Sequence, residues 1–133
     1  MSYVSRSAVL LAAGIAVIVG GAPSFGADRA EMGAKVFANE CSLCHSLQKG
    51  EMRVGPPLDG VVGRPIASVQ GYGYSQALED YGKGKVWTED RLDTFLANPV
   101  KTVPGTRMAY RGLGDQKART DLITYLKEGS DGG

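Results

Sequence analysis

Cys41-Ser42-Leu43-Cys44-His45 gathers both cysteines and the only histidine of the 133-residue chain into five consecutive positions. Cys-x-x-Cys-His is the pattern through which a c-type haem is attached covalently. Thiols three residues apart on a helical turn project from one face, where each can add to one of two neighbouring vinyl groups. The next residue then aims its imidazole at the iron. The competing chemistries fit less well. A thioredoxin-like dithiol calls for a preceding strand in a βαβ context, whereas the segment before Cys41 reads as helix. A disulfide across so short a helical loop is geometrically poor, and a zinc site would lack its fourth protein ligand and second Cys pair.

A haem iron has a second axial position. With His45 the sole histidine, this chain cannot supply bis-His ligation. Met32 stands at apolar helical spacing with Val36 and is expected to pack in the core. Met52 follows His45 by seven residues, too little chain to circle the ring. Met108 lies 63 residues on, in Pro104-Gly105-Thr106-Arg107-Met108. That turn sequence can present a sulfur inward from a stiff loop. A thioether suits the ferrous state, and His/Met ligation raises the reduction potential, so Met108 is the expected sixth ligand. A closed six-coordinate iron leaves outer-sphere transfer of one electron, the work of a carrier and not of an enzyme. A haem enzyme or gas sensor whose Met108 dissociates is the alternative, as is a haem subunit dedicated to one redox complex.

Composition sets the scale of the scaffold. With 43% hydrophobic and 22% charged residues and a net charge of +1, one domain with a modest core is expected. The balanced charge argues against nucleic-acid binding through a broad basic surface, and two cysteines exclude a multi-disulfide scaffold. Arg6 is the only charged residue before Asp28, and an apolar run from Ala8 to Gly20 is followed by small residues. These features describe a secretory signal peptide over residues 1–26, cleaved after Gly26; the run is shorter than the about 20 residues a membrane span needs. A domain of residues 27–133 in the periplasm is expected, anchored to the membrane only if the signal stays uncleaved. That domain carries 14 basic and 14 acidic residues.

The positioning elements read as helices joined by loops. Residues 28–40 carry Met32, Val36 and Phe37 on one face. Ser75 caps a short helix through Tyr81. Thr88 caps a second, with Glu89 and Asp90 near its positive end and Leu92, Phe95 and Leu96 as its buried stripe; Asn98-Pro99 ends it. From Asp115, Ala118, Leu122, Tyr125 and Leu126 follow the i, i+4, i+7, i+8 pattern up to Gly129. No convincing alternating strand is present, so the fold is expected to be all-α with loops wrapped around a flat cofactor.

Several separated motifs then coincide with one family. Gly33-Ala-Lys-Val-Phe37, Val54-Gly55-Pro56-Pro57-Leu58-Asp59-Gly60, Gly63-Arg64, Gly71-Tyr72-Gly73-Tyr74, Trp87-Thr88, Asn98-Pro99 and Asp121-Leu-Ile-Thr-Tyr125-Leu126 follow one another in the order of class I cytochrome c. The chain resembles the mitochondrial-like bacterial type over nearly all of residues 27–133, with about two extra residues between Tyr74 and Trp87. The resemblance implies a fold of three to five helices around one haem c. It also implies that the Pro56 carbonyl accepts a hydrogen bond from His45, and that Arg64, Tyr74, Trp87 and Thr106 hold the haem propionates. Phe95 departs from a Tyr frequent near the Met sulfur, and Tyr110 stands where an aromatic packs at the exposed haem edge. The partners expected are redox proteins such as a membrane cytochrome complex, an oxidase, a reductase or a dehydrogenase, met by a monomer that touches the membrane surface only transiently. Lys101, Arg107, Arg111, Lys117 and Arg119 against Asp115 suggest a basic docking patch.

Overall fold

The computed structural model describes residues 25–129, together with residues 16, 20 and 21. Five helices follow in order: α1 (Phe25–Glu40), α2 (Gln76–Gly82), α3 (Glu89–Ala97), α4 (Pro99–Thr102) and α5 (Gln116–Glu128). Four of them begin at a side-chain cap that satisfies an otherwise free backbone N–H. Ser75, Thr88, Asn98 and Asp115 accept from the amides of Leu78, Arg91, Lys101 and Ala118 respectively. The all-α expectation holds. Among the described residues the extended pairing is confined to an isolated bridge between Pro65 and Val86, with Trp87 N donating to Arg64 O at 2.9 Å and Gly63 N to Trp87 O at 2.7 Å.

The terminal helices α1 and α5 pack against each other most closely, and glycine explains how. A Cβ on Gly33 would lie 2.0 Å from the Asp121 carbonyl oxygen and 2.6 Å from the Tyr125 Cβ. The two backbones therefore meet where α1 has no side chain. Phe37 sits one turn further along the same face and reaches the Tyr125 ring with centroids 5.9 Å apart. Leu122, Ile123 and Leu126 of α5, Leu92, Phe95 and Leu96 of α3, and Val61, Ile66, Trp87 and Val103 from the loops complete the core.

Two sequence expectations change. Met32 is 45% exposed and not a core residue. The buried line of α1 runs through Gly33 and Phe37, and Met32 sits one residue, hence about 100° of helix rotation, off that line. Asn98-Pro99 does end α3, but Asn98 is also the N-cap of α4 and Pro99 its first residue, a position where the missing N–H costs nothing. The expected signal peptide lies almost wholly outside the described residues; Phe25 and Gly26 open α1. Among the described residues no helix is long and apolar enough to cross a membrane.

Candidate functional site

The attachment motif is the continuation of α1. Cys41 N and Ser42 N both donate to Phe37 O at 2.9 Å, and Cys44 N and His45 N close on Cys41 O at 3.0 and 2.9 Å. This turn leaves Cys41 and Cys44 as free, half-buried thiols. Burial, then the neighbouring Glu40 and Cys44, push the Cys41 thiol up to about 11, the opposite of the lowered value a redox-active Cys-x-x-Cys thiol carries.

His45 is 9% exposed, and its Nδ1 lies 2.8 Å from the Pro56 carbonyl. A carbonyl only accepts, so Nδ1 carries the proton and Nε2 is left with its lone pair for a metal. Burial lowers the His45 pKa against the opposing Pro56 hydrogen bond, and Arg64 lowers it further; the ring is held neutral, as a ligand must be. The segment beneath it is pinned by Gly55 N to Cys44 O and Leu58 N to Ser46 O, both at 2.8 Å. Gly55 is essential to that closeness: a Cβ there would lie 2.2 Å from His45 Cε1.

A brace that sequence reasoning missed holds the intervening turn. Ser46 donates to Glu51 at 2.7 Å, Arg53 grips the other Glu51 oxygen through Nε and Nη2, and Arg53 Nη1 donates to the Ser42 carbonyl at 2.7 Å. Ser46 and Arg53 hold the Glu51 carboxyl below its usual range. The alternation of Ser, Glu and Arg in this turn was the available signal.

Met108 stands on a loop anchored at both ends. Thr106 N donates to Val103 O at 3.0 Å, and Leu113 N to Leu96 O at 2.8 Å. Gly112, at φ 98°, lets the returning chain lie against α3; a Cβ there would be 2.3 Å from Ala97 O. Arg119, 6% exposed, donates to the Leu113 and Gly114 carbonyls, to Gln116 and to Asp93. The sequence placed Arg119 in a basic surface patch, and the structure corrects this. Its charge is inside the fold, compensated by Asp93 at 2.8 Å, while Lys117 pairs with Asp121 at 2.5 Å and Arg111 faces Glu40 at 3.9 Å. Lys101 and Arg107 are the members of that patch without an ion-pair partner among the described residues.

The four residues expected to hold propionates differ in how free they are. Trp87 is 7% exposed and packs on Phe95 and Tyr81, yet among the described residues its indole N–H has no protein acceptor. Arg64 is half-buried and donates to Asp59 O at 2.9 Å and Pro57 O at 3.0 Å, with no carboxylate at ion-pair distance among the described residues. Burial draws the Arg64 guanidinium below its ordinary value, against Tyr74 and Asp59, and burial raises the Tyr74 phenol. The Tyr74 hydroxyl accepts from Val69 N at 3.2 Å and keeps its own proton to donate. Thr106 Oγ1 accepts from Met108 N at 3.3 Å.

These features fit an anionic, iron-bearing, flat apolar group. Two unpaired thiols leave one turn, a neutral imidazole offers Nε2, and a half-buried cation and the indole N–H of Trp87 each lack an anionic partner among the described residues.

Comparison with known proteins agrees. The family model for cytochrome c matches residues 30–130. The chain is 46% identical over 100 residues to cytochrome c of Arabidopsis thaliana, covering 74% of this chain and 88% of the relative. It is 46% identical over 98 residues to cytochrome c of Euglena viridis, covering 74% and 94%. Cytochrome c type-1 of Ascaris suum is 42% identical over 98 residues, with 74% and 86% covered. The chain therefore belongs to the cytochrome c family: it is a class I c-type cytochrome, an electron carrier with covalently bound haem c.

Proposed function

We propose that this cytochrome works in the periplasm as a one-electron carrier between redox proteins, in which His45 and Met108 would both ligate the haem iron and no substrate is turned over at the metal. The observation that carries this reading is the contrast among the methionines. Met108 is half-buried against the core cluster that also receives Cys41, Leu47 and Leu58, whereas Met32 and Met52 are 45% and 41% exposed.

The haem, when bound, supplies a reversible one-electron iron couple. Cys41 and Cys44 fix it to the turn that ends α1. Pro56 orients His45 and, by accepting from Nδ1, strengthens Nε2 as a donor. Met108 is delivered by a loop tied down at Val103 and Leu96, which would hold its thioether in place for the iron. Arg64, Tyr74, Trp87 and Thr106 supply donors for the two carboxylates of the group. Trp87 and Phe95 keep water from the interior side.

The signal-like residues 1–26, with their apolar run and small-residue exit, support secretion to the periplasm, and the oxidising compartment leaves no thiol exposed to chance oxidation once both are used. The partners in this reading are a membrane cytochrome complex, an oxidase, a reductase or a dehydrogenase, met transiently by a monomer. Mixing the reduced holoprotein with carbon monoxide tests the proposal. A carrier with a closed iron binds it slowly or not at all, and rapid binding by the native protein would instead mark a ligand-binding haem protein. N-terminal sequencing of the exported chain is expected to begin at Ala27.

A further inference from the structure

The stretch from Arg107 to Gly112 makes no backbone hydrogen bond to another segment among the described residues; Tyr110 N turns back to Met108 O at 2.9 Å. Side chains do the long-range work instead, on both sides of Met108. One residue before it, Arg107 Nη2 donates to the Gly73 carbonyl at 2.7 Å and also to the Tyr74 carbonyl, 34 and 33 residues away. Two residues after it, the Tyr110 hydroxyl donates to Glu40 Oε2 at 2.9 Å across 70 residues. The first tether ends in the segment that presents Tyr74. The second ends on the last residue of α1, next to Cys41.

We propose that Arg107 and Tyr110 are positioning residues that clamp the Met108 loop from both flanks, and so decide how easily a small external ligand displaces the thioether from the iron. This rests on the reading of Met108 as the sixth ligand. Met108 cannot withdraw without moving the two tethered residues, since only Met108 and Ala109 lie between Arg107 and Tyr110. Opening the loop therefore requires breaking hydrogen bonds at two distant places at once. The Arg107 bonds are charge-assisted but exposed, which reduces their strength. The Tyr110 bond is neutral on the donor side, accepted by a carboxylate and half-buried, where such a bond counts for more. Each tether is thus worth a modest amount, and the two together act on one loop.

The test is an imidazole titration of the oxidised holoprotein, followed by loss of the weak red-end absorption band of the thioether–ferric bond. Arg107→Ala is expected to tighten imidazole binding about tenfold and Tyr110→Phe about fivefold, as the loss of one or two modest hydrogen bonds implies. The double variant is expected to approach the product of the two. Arg107→Lys should fall between Arg107→Ala and the parent, because both bonds run from the one Nη2, and a shorter ammonium keeps the charge without that nitrogen's position. Denaturant unfolding is measured in parallel, with Ile123→Val in α5 as a variant that weakens the core without touching the loop; its imidazole affinity should stay at the parent value. Affinities of Arg107→Ala and Tyr110→Phe within about twofold of the parent would overturn the clamp. So would an equal tightening in Ile123→Val, which would reduce the effect to general destabilisation. A parent protein that lacks the thioether band before any substitution would overturn the ligand reading itself, and is told apart by that spectrum.

Discussion

At the scale of single residues, the site is built by what is left out as much as by what is present. Gly55 has no side chain because the His45 ring occupies that space, with Cε1 2.2 Å from where a Cβ would be. Gly55→Ala is expected to displace the imidazole from Pro56 and to cost about 2–3 kcal/mol of stability by overpacking. Denaturant unfolding together with the ligand-field spectrum would show both effects, and an unchanged spectrum would mean that the ring has room the structure does not show. The attachment motif was legible in the sequence because its chemistry is local: five consecutive residues on one turn suffice. The Tyr110–Glu40 bond was not, because its partners are 70 residues apart and neither residue type announces the other. The interior place of Arg119 is hidden from the sequence for the same reason. An arginine reads as surface until Asp93, 26 residues away, and the Leu113 and Gly114 carbonyls are seen to converge on it.

At the scale of elements, helix starts were readable and helix rotation was not. Ser75, Thr88 and Asp115 each mark a helix N-terminus by a side-chain oxygen that accepts a backbone N–H three residues on, a signal carried in the local sequence. Apolar spacing places one face of α1 inward but leaves open which residue points at α5, and Met32 fits that spacing without facing the core. The decisive residue is Gly33, whose absent side chain admits the Asp121 backbone. Gly33→Ala should force α1 and α5 apart and destabilise the fold by about 2–4 kcal/mol, while leaving the turn at Cys41–His45 able to accept haem. Thermal unfolding of the holoprotein measures the loss; a variant as stable as the parent would show that the α1–α5 contact can shift without penalty.

At the scale of the whole molecule, a modest core draws on loops as well as helices, with Cys41 and Met108 packed against it. Val61, Ile66, Trp87 and Val103 come from loops and not from helices, so their order depends on what they pack against. The haem-free chain is therefore expected to be poorly ordered, with far less helix by circular dichroism than the holoprotein; a fully helical apo chain would show that the cofactor is accommodated and not required. The surface is less one-sided than the linear charge pattern implied, since Arg119 is internal and Lys117 is paired with Asp121. Lys101 and Arg107 are the members of the patch without an ion-pair partner among the described residues, while Arg111 and Lys117 stay exposed beside Glu40 and Asp121. The central claim, an iron closed by His45 and Met108, is tested most directly by the absorption spectrum of the oxidised holoprotein in its methionine variants. The thioether–ferric band should be present in the parent, retained in Met32→Leu and Met52→Leu, and abolished in Met108→Leu. A band that survives Met108→Leu, or is absent from the parent, would contradict it.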